Sequence, residues 1–169
     1  MRTDMDWSGH ELIITDTEGL LTHYLKKPGT LMDAVMFINT NGVLVVTGDY
    51  SNWMFDREFH PSKGGFVQDT YWAEKLKQSS TQVPYEFDPE GTADTIIELL
   101  QGEDITESER EYLEECLSLS DSSKFDYERI AYRENVGRYQ DYERIPYEDR
   151  IVRHLLVVFD AFEEICKRL

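Results

Sequence analysis

A chain of 169 residues carries 34 acids against 17 lysines and arginines, a formal net charge of −17, and is 40% hydrophobic and 12% aromatic. That is about one domain by the usual prior of roughly 150 residues, with enough apolar content to fold rather than stay disordered. The charge sets aside direct nucleic-acid binding, and no apolar run approaches the ~20 residues that span a bilayer. The N-terminus, Met1-Arg2-Thr3-Asp4-Met5-Asp6, has acids where a signal peptide carries a basic region, so the expected location is cytoplasmic. Cys116 and Cys166 lack C-x-x-C spacing and read as reduced core cysteines.

In chain order, Glu11–Thr15 and Leu20–Lys26 read as strands around a turn at Asp16–Gly19. Lys27-Pro28-Gly29-Thr30 is a tight turn into Leu31–Ile38. Val35–Ile38 and Val43–Thr47 flank Asn41-Gly42, the pair that best tolerates the two positive φ angles of a type I′ hairpin turn. After the turn-rich Gly48–Asn52, Trp53–Phe59 reads as a further strand. Residues 11–59 thus give four or five antiparallel strands. His60–Gly65 breaks the pattern, Asp69 and Thr70 can cap a short helix carrying Tyr71, Trp72 and Leu76, and the polar Gln78–Val83 reads as a linker.

The period then becomes helical. Asp88-Pro89-Glu90 is a helix start, with an acidic N-cap, proline at N1 and an acid near the positive helix end. Ile96, Ile97 and Leu100 form its apolar stripe and Gly102 its stop. Thr106-Glu107-Ser108-Glu109 matches a capping box and opens a helix with Leu113, Cys116 and Leu117 inward. Asp126–Tyr132 is echoed at Asp141–Tyr147, too few copies for a solenoid, and reads as local packing or an acid, tyrosine and arginine surface. Ile151, Leu155, Val158, Phe162, Ile165 and Leu169 form a broad stripe, predicting a last helix packed deeply on the sheet. A homodimer seam is its alternative use. The expected fold is a single α+β domain over 1–169. An N-terminal antiparallel meander of four to five strands (1–84 mainly β) packs against C-terminal helices (85–169, strongly acidic).

Charge is divided unevenly between those halves. Residues 1–84 hold 11 acids and 7 bases; residues 85–169 hold 23 and 10. Within Glu86–Glu115 there are 12 acids and a single base, Arg110. Such a field favours basic protein surfaces.

Catalytic signatures are absent from the sequence. None of His10, His23, His60 and His154 lies in H-E-x-x-H, no P-loop or G-x-S-x-G occurs, and no acid stands two residues before a lysine. Asp49, Asp56, Glu58 and His60 could together hold a divalent cation. Strand alternation would put the last three on one face, opposite Trp53, Phe55 and Phe59, which describes an ordinary solvated face equally well. The aromatics Trp53, Phe55, Phe59, Phe66, Tyr71 and Trp72 read as core, with an exposed partner patch as the alternative. No metal and no cofactor are expected.

The segments V-V-T-G-D-Y-S-N-W-M-F-D-R-E-F-H-P (45–61) and D-A-F-E-E-I-C-K-R-L (160–169) resemble small acidic uncharacterised proteins of bacterial phages and mobile elements. The resemblance implies an anti-defence role of the anti-CRISPR kind, in which small, acidic, non-enzymatic inhibitors are similar in charge to a nucleic acid. With the charge run, this gives the functional expectation: a non-enzymatic inhibitor that blocks a basic nucleic-acid-binding surface of a partner protein. The residues expected to bind are Glu86, Asp88, Glu90, Asp94, Glu98, Glu103, Asp104, Glu107, Glu109, Glu111, Glu114 and Glu115. Its rivals are a small metal-dependent hydrolase using the Asp49–His60 strand and an adaptor docking through exposed aromatics.

Overall fold

A computed structural model describes residues 2–30, 32–79, 83–102, 104–121, 123–131 and 146–169. The elements in chain order are β1 (Glu11–Thr17), β2 (Leu20–Lys26), β3 (Val35–Thr40), β4 (Val43–Gly48), β5 (Trp53–Phe55), α1 (Asp69–Glu74), β6 (Leu76–Ser79) and β7 (Tyr85–Phe87). They continue as α2 (Pro89–Leu100), α3 (Glu107–Leu119), α4 (Lys124–Ala131), β8 (Asp149–Ile151) and α5 (Arg153–Arg168). The arrangement is α+β, and it groups into two compact units, Met1–Pro84 with Ile151–Leu169, and Tyr85–Arg150.

The first unit is built on a six-stranded antiparallel meander in the order β1-β2-β3-β4-β5-β6. Its two-residue turns come from local chemistry. Asn41 and Gly42 take φ of 49° and 83° and put Thr40 opposite Val43, and Glu18 and Gly19 repeat the device at 49° and 85°. Gly48 is required for a different reason. At φ 140°, a Cβ there would stand 2.0 Å from the Ala34 carbonyl oxygen.

Period-two alternation then sorts the faces. Leu25, Val35, Phe37, Leu44, Val46, Trp53 and Phe55 are buried, while Met36, Ile38, Val45 and Met54 on the opposite face are half-buried. The buried face is covered by α5, whose Leu155, Val158, Phe159, Phe162 and Ile165 retain no exposure. At ~1.5–3 kcal/mol for each fully buried large side chain, this contact is the main source of cohesion. The apolar stripe of the last helix is therefore used within the chain. Asp160 is buried beside it and accepts the backbone N–H groups of Arg2 (2.9 Å) and Thr3 (2.8 Å), which fastens the N-terminal segment to α5.

Three boundaries differ from the sequence reading. The strand expected over Trp53–Phe59 stops at Phe55, where the β5–β6 register shifts, and Asp56 N–H turns to the Lys75 carbonyl at 2.7 Å. Phe59 is instead held by Asn39, whose side chain accepts the Phe59 N–H (2.8 Å) and donates to its carbonyl. Leu76–Ser79, expected as helix end and linker, is an edge strand. Its polar Lys77 and Gln78 are exposed there, which hid it from a hydrophobicity count. The short helix is N-capped at Gln68, with Asp69 inside its first turn.

In the second unit, α2 starts after Asp88-Pro89 as expected and closes at Gln101, with Gly102 N–H donating to the Leu99 carbonyl at 3.1 Å. Helix α3 opens on a complete Thr106/Glu109 capping box. Ile96, Tyr112, Leu113, Cys116, Tyr127 and Ala131 form a separate buried core. The short strands β7 and β8 pair, and Asp88 N–H donates to the Glu148 carbonyl at 2.9 Å. Part of the sequence echo, Tyr132 of its first copy and residues 141–145 of its second, lies outside the described residues. No helix among the described residues is long and apolar enough to cross a membrane.

Candidate acidic interface

The helical period separates charge from core in α2 and α3. In α2, Thr92 and Ile96 turn inward, leaving Glu90, Asp94 and Glu98, four residues apart, exposed on one face. In α3, Tyr112, Leu113 and Cys116 take the inner face, and Glu107, Glu111, Glu114 and Glu115 are exposed. None of these seven carboxylates makes an ion pair among the described residues. Arg110, the lone base of the run, is half-buried and reaches toward the Leu100 carbonyl at 3.4 Å.

The other five acids expected to bind divide differently. Glu86 and Asp88 meet Arg150 at 3.0 and 3.8 Å, so one distant cation partly neutralises both. Asp104 is exposed, and Glu103 lies outside the described residues. Glu109 is buried: its carboxylate accepts the Thr106 N–H at 2.9 Å and the Thr106 hydroxyl at 2.8 Å. It closes a helix end instead of facing solvent. The capping-box motif that marks this role is itself visible in the sequence, whereas the part played by Arg150 could be found only from the pairing of β7 with β8.

Asp49, Asp56, Glu58 and His60 are not brought together as a group, although Glu58 and His60 meet. Asp49 accepts the Ala34 N–H at 2.9 Å and Asp56 pairs with Lys77 at 2.9 Å. Glu58 accepts the Gly42 N–H and meets His60, both at 2.9 Å. The reason is the early end of β5: without strand geometry past Phe55, the alternation that would align them does not exist. Among the described residues no three His, Cys, Asp or Glu side chains are placed to share a cation. Cys116 and Cys166 are both buried and free, and burial pushes each thiol above its ordinary range.

The aromatic run also divides. Trp53, Phe55, Phe59 and Trp72 belong to the core, while Phe66, at 78% exposure, and Tyr71 lie at the surface. No protein-family model, curated protein or solved structure matches the chain.

Proposed function

We propose that the protein is a non-enzymatic binding protein whose acidic helices occupy a basic, nucleic-acid-binding surface of a partner protein. One observation carries the reading: seven carboxylates stand exposed on two regular helices without a cationic partner among the described residues. A carboxylate fixed on a helix offers lysine and arginine the same charge-assisted hydrogen bonds as a phosphate, without the entropic cost of ordering a flexible chain. The attraction extends over about 8 Å at physiological salt and falls as salt rises. A merely solvated acidic face would have the same charge and no such partner.

The resemblance to phage and mobile-element proteins suggests the partner class: a nucleic-acid-guided defence protein, with a CRISPR effector as the first case to test. The decisive experiment titrates the protein into a purified effector bound to its guide or target nucleic acid. Displacement at low salt, lost at high salt, supports charge mimicry. Formation of a ternary complex with the nucleic acid still bound rejects it.

A further inference from the structure

The first unit contains a cavity of about 300 Å³ beside α1 whose lining has the opposite electrostatic character to the chain as a whole. That volume is at the lower end for small-ligand pockets, roughly 300–1,000 Å³. Arg57, His60, Phe66, Tyr71, Trp72 and Cys166 are among its walls, and no Asp or Glu is among the described residues that line it. In a chain with 34 acids and 17 bases, a pocket with two basic side chains and no lining carboxylate is a local reversal of sign.

Arg57 gives the pocket its chemistry. Its guanidinium carbon lies 4.9 Å from the ring centre of Trp72 and 5.2 Å from that of Tyr71, so the two aromatic rings position it. It makes no ion pair among the described residues, and its one side-chain hydrogen bond there is a long contact of 3.4 Å from Nε to the Glu58 carbonyl. The two terminal nitrogens are left to present a planar fork of N–H donors, the geometry that suits a carboxylate. His60 is exposed and meets Glu58 at 2.9 Å, and Glu163 accepts the Val67 N–H at 3.4 Å at the edge of the lining. Glu58 in turn is occupied by the Gly42 N–H. Phe66, also in the lining, is an apolar ring left largely in solvent.

We infer that this cavity is a binding site for a small planar aromatic carboxylate, with the ring against Phe66 and the carboxylate on the Arg57 fork. The exposed Phe66 ring and the Arg57 guanidinium select that combination, and the Lys75 ammonium, 5.1 Å from the Tyr71 ring centre, adds positive charge nearby: the ring rewards a planar apolar body, and the fork rewards a two-oxygen anion. The site belongs wholly to the first unit and does not depend on the proposed role of the acidic helices.

The test uses the full chain, with indole-3-carboxylate as probe and indole-3-carboxamide as its uncharged counterpart, followed by calorimetry and by the shift of the Trp72 indole N–H signal. Saturable binding of the acid is expected, weaker by roughly tenfold for the amide and for Arg57→Gln, since a charge-assisted fork is lost in each case. Arg57 packs on two rings, so Arg57→Gln could disturb folding. Phe66→Ser, at an exposed position, is the second variant and should weaken the acid while leaving the fold intact. Equal binding of acid and amide, no saturable binding of the acid, or unaltered binding by Phe66→Ser would overturn the assignment. Preference for a peptide ending in phenylalanine over the free acid would overturn it as well, by making the ligand a protein terminus.

Discussion

Phe162 on α5 stands against Phe59, with ring centres 4.3 Å apart, and both side chains are buried. The contact joins the last helix to a residue beyond the end of β5, and Phe37 on β3 completes the group at 4.5 Å from Phe162. Phe162 also meets Trp72, at 4.9 Å. One side chain thus connects the sheet, the segment after β5, α1 and α5.

Removing that ring has a definite expected effect. Phe162→Ala should lower stability by about 3–5 kcal/mol, the range for a fully buried aromatic that leaves a cavity. Denaturant unfolding followed by tryptophan fluorescence measures it. A loss below about 1 kcal/mol would mean that α5 is peripheral to the fold.

The second unit depends on its capping box. Thr106→Ala removes the hydroxyl that accepts the Glu109 N–H at 3.3 Å and donates to the buried Glu109 carboxylate. The expected cost is about 1–2 kcal/mol, with Thr106→Ser recovering most of it. Amide exchange in α3 provides the readout, because fraying of its first turn should raise exchange there before the β-sheet responds.

His23 predicts a pH dependence. It is buried on the sheet, and burial first, with the nearby His60 second, lowers its pKa from the ordinary 6.5. The folded protein therefore keeps His23 neutral at pH values where the unfolded chain takes up a proton. Its contribution is fully present above about pH 6.5 and is lost as pH falls from there through the lower folded pKa. Glu163 acts at lower pH: burial opposes its ionisation, but Arg2 and the Val67 N–H outweigh this and depress its pKa. Its stabilisation is present above the ordinary 4.5 and disappears as pH falls through the folded value. Melting temperatures of wild type and His23→Gln should converge as pH drops from 7 to about 5, and parallel curves would remove His23 as the cause.

Charge reversal separates a binding face from a solvated one. Glu107, Glu111 and Glu114 share one exposed face of α3 by their four- and three-residue spacing. Changing all three to lysine should strongly slow association with a basic partner and reduce its salt dependence. Folding should change little, because exposed charges contribute at most ~1 kcal/mol and Glu107, in the first helical turn, adds about 0.3–1 kcal/mol through the helix dipole. Unaltered association kinetics in the triple variant would remove this face from the interface.

Much of this architecture was legible because its determinants are local. Asn41-Gly42 closes a hairpin through the φ angles of two adjacent residues, Thr106 and Glu109 cap α3 across a single turn, and the α5 stripe is a matter of period. Each of these signals lies within one element, so neighbouring residues sufficed to read it. The remaining features depend on partners distant in sequence. Leu76–Ser79 is a strand because β5 offers it a free edge, and Arg150 neutralises Glu86 only because β8 returns to β7. Phe59 leaves the strand because Asn39, 20 residues earlier, takes both of its backbone groups. Likewise, the pocket around Arg57 depends on the packing of α1 and on Cys166 of α5. Hydrophobic period and turn chemistry act between near neighbours along the chain, whereas hydrogen-bond closure and cavity shape are settled only when distant segments meet. That is why the strands, caps and charge of this protein could be read from its residues, while its edge strand, the pairing of Glu86 and Asp88 with Arg150, and its pocket were decided by tertiary structure.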